Sequence, residues 1–180
     1  KEAYNWFKED LKWLGIKPKK VIIQSKRLKI YYKYAQELIN IGGAYVCTCD
    51  SEKKRELLHK NMKCSCEDKY QTERWEGMFD GTYKAGGAVL RIKTDINAPN
   101  PAVRDWAAFR IVSENKHPLD NKSKVWPLLN FASAIDDHEL KVTHIIRGID
   151  LCVSDDRQKY LYKYFGWRYP ETMYHGKLLV

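Results

Sequence analysis

The sequence predicts an α/β fold, and three observations carry the prediction. Residues 1–46 run through helix, strand, helix and strand periodicities in turn, the order expected of part of a doubly wound sheet. The stretch from Val125 to Leu151, VWPLLNFASAIDDHELKVTHIIRGIDL, sets a short apolar helix ending in acids before a strand with an arginine near its exit. A chain of 180 residues, 44% hydrophobic and 13% aromatic, carries enough apolar side chain to bury a core around such a sheet.

Taken in order, Ala3, Phe7, Leu11 and Leu14 form one helical stripe that Gly15 ends, which predicts a surface helix facing the core. After the Lys17-Pro18-Lys19-Lys20 turn, Val21-Ile22-Ile23 reads as a short buried strand and Ser25 as the cap of the next helix. Leu28, Tyr31, Ala35 and Leu38 recur at helical spacing as far as Gly42-Gly43, and Ala44-Tyr45-Val46 starts another strand. The aromatic residues follow these apolar stripes, so they read as core rather than as a platform for stacked bases.

The alternation then breaks. Cys47-Thr48-Cys49 and Cys64-Ser65-Cys66 are two C-x-C pairs separated by fourteen basic, polar residues. Four thiolates arriving as two close pairs can supply a tetrahedral zinc site, and a lysine-rich setting favours thiolate; ordinary reduced cysteines are the alternative. Cys152 has no partner in sequence and reads as a free thiol. From Glu67 to Phe79 the spacing of Tyr70, Trp75 and Met78 fits an amphipathic helix ended by Asp80-Gly81. Two strands follow, Ala88 to Lys93 and Ala108 to Val112, joined through the turn-rich Asn97-Ala98-Pro99-Asn100-Pro101 and charged on one face.

In Val142-Thr143-His144-Ile145-Ile146-Arg147, alternation puts Arg147 on the face of Thr143 and Ile145, just before Gly148 ends the strand. Ligands of open α/β sheets sit beyond the carboxyl ends of strands, where a guanidinium fork suits a carboxylate. The competing use of such an arginine is an ion pair with a nearby acid, here Asp136, Asp137 or Asp150. Farther on, Ser154 can cap a helix with Asp155 and Asp156 in its first turn, Leu161, Tyr164 and Phe165 on its apolar side, and Gly166 at its end.

Trp126-Pro127, Phe131-Ala132, Asp136-Asp137-His138 and Val142 to Gly148 together resemble the second half of the active site in class I aminoacyl-tRNA synthetases of the glutamyl/glutaminyl branch, above all the archaeal-type glutamyl enzymes. The resemblance covers nearly the whole chain. It implies a partial Rossmann-like catalytic domain split by an α+β connective insertion: residues 1–46 end the first half, 47–124 form an inserted domain that meets the tRNA acceptor end, and 125–180 form the second half. By the same resemblance, Arg147 contacts the side-chain carboxylate of glutamate and Ser133 lines the pocket. Leu129 occupies the position of a family tyrosine that touches the amino acid, a departure that removes a hydroxyl from the pocket. The strands around Leu90 to Lys93, Asn100 to Asp105 and Phe109 to Ile111 resemble the inserted domain, which makes Arg91, Lys93, Arg104 and Arg110 candidates for phosphate contacts, with solvated strand charges as the alternative. Asp155 is the nearest match to an acid that contacts the acceptor stem in glutaminyl relatives, and some glutamyl relatives carry a C-x-C followed by a further Cys/His pair in the insertion where Cys47 to Cys66 stand here.

Tyr174-His175-Gly176-Lys177-Leu178 resembles the strand leading into the family's ATP-binding loop, while both ATP signatures, a His-Ile-Gly-His motif and a Lys-Met-Ser-Lys-Ser-type loop, are expected outside Lys1 to Val180. The expected whole is an ATP- and magnesium-dependent ligase joining L-glutamate to tRNA(Glu), of which this fragment alone is inactive. An acceptor-stem-binding module without catalysis, or a trimmed or engineered chain that only folds, are the other readings. Thirty-two Lys+Arg against 23 Asp+Glu give a net charge of +9, which favours a polyanionic partner with salt-sensitive binding. No apolar run is long enough for a membrane span and charge is mixed throughout the first fourteen residues, so a cytoplasmic, monomeric protein is expected.

Overall fold

A computed structural model describes residues 2–114 and 117–176; Lys177 and Leu178 of the closing motif lie outside the described residues. Helix α1 (Glu2–Trp13) forms on the expected stripe, and Gly15 releases the chain at a φ of +72°. None of its residues is buried, and Phe7 stands 59% exposed. The stripe does not face a core, because no described element supplies a surface for it. Val21-Ile22-Ile23 is extended but unpaired, with Val21 exposed, and runs into a 3-10 turn, Gln24–Lys26. A strand exists by pairing, and this segment has no strand beside it among the described residues.

Helix α2 (Leu28–Asn40) buries the predicted Leu28, Tyr31, Ala35 and Leu38. Its N-terminal cap position is Arg27, without a side-chain cap bond, and not Ser25, whose hydroxyl is buried without a partner. At Gly43 a Cβ would come within 2.6 Å of Leu38 Cδ1 and 2.9 Å of the Tyr164 ring, so any side chain here would have to displace that packing where the chain enters β1 (Ala44–Cys47).

Strand β1 does not enter a parallel sheet. It pairs antiparallel with β2 (Val89–Ile92), Ala44 opposite Ile92, and opens a four-stranded sheet of order β1-β2-β3-β4 with β3 (Ala107–Ile111) and β4 (Val125–Pro127). Strands from all three sequence segments therefore share one sheet. Between β1 and β2 lie α3 (Ser51–His59), a 3-10 turn at Ser65–Asp68, and α4 (Gln71–Glu76). Helix α3, which the polar spacer hid, is capped by Asp50 accepting from the Lys53 amide at 2.7 Å. The helix expected over residues 67–79 is reduced to α4, because the second cysteine pair fixes the backbone until Lys69 and Gly77 ends it early.

Helix α5 (Leu129–Glu139) buries Phe131, Ala132 and Ile135 against the four-stranded sheet. Strand β5 (His144–Gly148) and β6 (Glu171–His175) form a separate two-stranded parallel sheet, joined through α6 (Cys152–Phe165). Helix α6 begins at Cys152, two residues before the expected cap Ser154, and ends at Gly166 with a φ of +67°, as foreseen. The core is aromatic at its centre: Phe109 meets Trp75 and Phe131 edge to face at centroid distances of 5.3 and 4.8 Å. The fold is thus mixed α/β, with one antiparallel and one parallel sheet. Among the described residues no helix is long and apolar enough to cross a membrane.

Candidate substrate site and metal centre

Strand β5 delivers Arg147 to its carboxyl end, where the first turns of α6 receive it. Arg147 Nη1 pairs with Asp155 Oδ1 at 2.7 Å, and Nη2 donates to Gln158 Oε1 at 3.3 Å. Asp155 is 1% exposed and also accepts from the hydroxyls of Tyr169, at 2.9 Å, and Tyr174. Gln158, equally buried, accepts from Tyr169 at 2.8 Å and donates to Ser133 Oγ at 2.7 Å and to the Asn130 carbonyl at 3.3 Å. Ser133 in turn donates to the Leu129 carbonyl at 2.7 Å, while the Leu129 side chain is exposed. One network therefore joins the end of β5 to the first turn of α5 and contains Arg147 and Ser133. Gln158, Tyr169 and Tyr174 were not found from sequence; the one available signal is that Asp155 and Gln158 sit three apart on a helix, hence on one face.

The acid that meets Arg147 is Asp155, not Asp136, Asp137 or Asp150. Asp136 is held elsewhere, by Arg27 Nε and the Tyr31 hydroxyl, each at 2.7 Å. Asp137 is half-buried without a hydrogen bond to hold its charge, and burial pushes its carboxyl up to about 6 against the favourable field of Arg147. The hydrogen bond to Asp155 pushes the Tyr174 phenol up to about 12, because that proton is shared with a buried carboxylate. Arg147 is thus fixed in orientation and already neutralised by one acid. A second carboxylate would meet a guanidinium whose plane is preset, and would share it with Asp155.

The residues expected to meet RNA divide by burial. Arg110 is exposed on β3, opposite Trp126 of β4. Arg91 is half-buried and donates to the Asp105 carbonyl at 2.9 Å, and Lys93 is half-buried at the edge of α6. Arg104 is 9% exposed and spends its guanidinium on the carbonyls of Ala98 and Leu58, at 2.8 and 2.9 Å, and on Asn61. Asp155 faces Arg147 inside the fold. Arg104, through Nε and Nη1, and Asp155, through Arg147, thus hold segments of the fold together.

The four paired cysteines meet. Their Sγ atoms all lie within 4.8 Å of one another, with Cys47–Cys64 at 3.8 Å, Cys49–Cys64 at 3.5 Å and Cys49–Cys66 at 3.8 Å. A tetrahedron with zinc–sulfur bonds of about 2.3 Å has edges of about 3.8 Å, so the donor set fits that ion. Burial pushes the Cys64 thiol up. Burial acts on Cys66 in the same direction, but hydrogen bonds from Thr48 and its neighbouring cysteines outweigh it and bring the thiol down to about 6. Beside this cluster, Lys54 of α3 is 1% exposed and bonds to the Tyr45 hydroxyl at 2.7 Å and Asp105 Oδ2 at 3.0 Å. Cys152 is exposed and outside the cluster.

Comparison with known proteins gives the chain its family. The family described as class I tRNA synthetases (E and Q), catalytic domain, matches residues 1–179. The glutamate–tRNA ligase of Pyrococcus horikoshii is 58% identical over 98% of this chain and 32% of its own length, and that of Methanosarcina mazei is 50% identical over 99% and 32%. The chain thus spans about a third of the length of these curated relatives. A crystal structure of a glutamate tRNA ligase from Elizabethkingia meningosepticum, in complex with its amino acid, aligns over 98% of this chain and 40% of that one with a TM-score of 0.68 at 20% identity, which shows the shared fold. With a family match along virtually all of its length, the chain belongs to the class I (E and Q) tRNA synthetase catalytic domains.

Proposed function

We propose that this chain is the part of a glutamate–tRNA ligase that recognises the glutamate side chain and receives the tRNA acceptor end. The observation that carries the reading is Arg147, fixed at the carboxyl end of β5 by Asp155 and Gln158 in a chain closely similar to archaeal glutamate–tRNA ligases. In the full enzyme, ATP with magnesium would activate glutamate before its transfer to tRNA(Glu). Arg147 would hold the side-chain carboxylate, Ser133 would line the pocket, and Leu129 would present an apolar wall where a hydroxyl is expected. Residues 47–124 would be the inserted acceptor-binding domain, with Arg110 as the accessible phosphate contact and Arg91 and Lys93 behind it. Cys47, Cys49, Cys64 and Cys66 would hold one zinc ion, which when bound supplies a structural cross-link between the two knuckles. A monomeric protein working in the cytoplasm is consistent with this role.

The test is titration of the chain with acceptor-stem RNA at two salt concentrations, with and without glutamate. Binding that weakens steeply with salt and tightens with glutamate is expected. Salt-steep binding indifferent to glutamate would favour a binding module that has lost its amino-acid pocket at Leu129, and absence of RNA binding would remove the acceptor-end role from this chain.

A further inference from the structure

Helix α4 touches both cysteine knuckles, and it does so with two residues three apart on the same face. Gln71 Oε1 accepts from the Val46 amide at 2.8 Å, next to Cys47, while its Nε2 donates to the Cys66 carbonyl at 2.7 Å. Arg74 Nη2 donates to Thr48 Oγ1 at 2.8 Å, between Cys47 and Cys49, and lies 3.9 Å from Cys66 Sγ. Each side chain therefore bridges the first knuckle to the second. The next residue, Trp75, is 4% exposed and packs edge to face on Phe109, so the same short helix is anchored in the core. A dication held by four thiolates leaves a net charge of −2, and among the described residues the guanidinium of Arg74 is a cation that contacts the cluster.

We infer that Gln71 and Arg74 form an outer clamp that keeps the two cysteine pairs at metal-binding separation and slows the loss of the ion. They are positioning residues; neither is a ligand. Gln71 fixes the backbone on both sides. Arg74 fixes a hydroxyl and offsets sulfur charge. The inference rests on the four-cysteine zinc reading, and the two can fail separately.

The experiment measures zinc per chain and the rate of its release to a chromogenic chelator for the wild type, Gln71→Ala, Arg74→Ala and Arg74→Lys. Trp75→Leu serves as a control that weakens the anchoring of α4 without removing a bond to the knuckles. One zinc per chain is expected in all of them. Release should be at least about tenfold faster in the two alanine variants, in line with the effect of losing outer partners of metal ligands. Arg74→Lys, which keeps charge but loses the fork, should fall between, and Trp75→Leu should melt earlier yet release at nearly the wild-type rate. Wild-type rates in both alanine variants overturn the clamp while leaving the zinc site standing. Release from Trp75→Leu as fast as from the alanine variants also overturns it, because general loosening would then explain the effect. A wild-type chain that takes up no zinc and melts identically with and without it overturns the metal reading, and the clamp with it.

Discussion

Replacing Asp155 by Asn should push stability and anion binding in opposite directions. Asp155 is 1% exposed and its carboxylate sits 2.7 Å from Arg147 Nη1, while the Arg147 side chain is 12% exposed. Two unit charges about 4 Å apart attract by about 4 kcal/mol at the effective dielectric of such sites. Removing one partner of a buried pair commonly costs about 3–5 kcal/mol. The amide of Asn keeps one acceptor for Arg147 or Tyr169, and Arg147 can reach water on its open side, so the lower figure of about 3 kcal/mol applies. For a chain of this size, that lowers the melting temperature by about 6–12 °C. The same change frees the positive charge of Arg147, so glutamate no longer shares it with a resident acid. Thermal melts followed by circular dichroism across a glutamate titration read both quantities at once, because a ligand that binds only the folded chain raises its melting point with concentration. The variant should start lower and rise more per increment of glutamate than the wild type. A variant that melts lower and responds less to glutamate would refute the view that Asp155 competes with the ligand for Arg147; one that melts at the wild-type temperature would refute the energetic weight assigned to the pair.

Asp137→Asn should stabilise the chain at neutral pH and do little near pH 4. Burial holds the Asp137 carboxyl up at about 6, so the folded state is penalised wherever the group is ionised: the penalty is absent below the unfolded value of about 4, grows as pH rises toward 6 and is complete above it. For a half-buried group it is about 1 kcal/mol, and denaturant midpoints at pH 4 and pH 7.5 that show the same effect of the substitution would sink the argument. Lys54→Met should cost about 3–5 kcal/mol in urea unfolding by stranding buried Asp105, and adding Asp105→Asn should recover part of the loss; a loss under about 1 kcal/mol would show that water reaches the pair. Arg157→Ala and Asp155→Asn, made singly and together, should show a coupling above about 0.5 kcal/mol in unfolding free energy, since both act on the seating of one helical turn; strict additivity would show that the two contacts of that turn are independent.

Local pattern made much of this fold legible. The stripe of Leu28, Tyr31, Ala35 and Leu38 is buried as read, Gly166 ends α6 as read, and the paired cysteines converge as two C-x-C pairs should. What failed depended on partners. The stripe of α1 has the period of a buried helix, but burial is a property of two surfaces, and no described element covers Phe7. Val21-Ile22-Ile23 has strand composition without a neighbouring strand, and Ala44 to Cys47 forms a strand whose partner, β2, begins more than forty residues later and runs antiparallel. Sheet class is set by which edges meet, and periodicity carries no information about that. The site follows the same division. Arg147 was visible from its place before Gly148, whereas its counter-charge, Asp155, stands in the first turn of α6, where the helix dipole alone accounts for an acid, and only Tyr169 and Tyr174 in the folded chain hold it toward Arg147.

The buried charges explain how a lysine-rich, net-basic chain keeps a rigid site. Helix α6 spends one side on Arg147, through Asp155 and Gln158, and with Arg157 Nε it donates to the Ala102 carbonyl at 2.7 Å. Ala102 lies in the 3-10 turn Pro101–Val103, and the next residue, Arg104, binds Leu58 and Asn61 at the end of α3, the helix whose Lys54 is locked to Asp105. The cysteine knuckles flank α3 on both sides. These hydrogen bonds and ion pairs, together with the helices α3 and α6, thus link the segment between the cysteine knuckles to the arginine at the end of β5. Arginine suits this path because its fork binds two carbonyls from different segments at once, which a lysine cannot do with comparable geometry. The basic residues of segment 47–124 therefore divide into two groups by their internal bonds. Arg104 and, in part, Arg91 join segments, and their loss should be read first in stability; exposed Arg110 makes no such bond, and its loss should be read in salt-dependent RNA affinity alone.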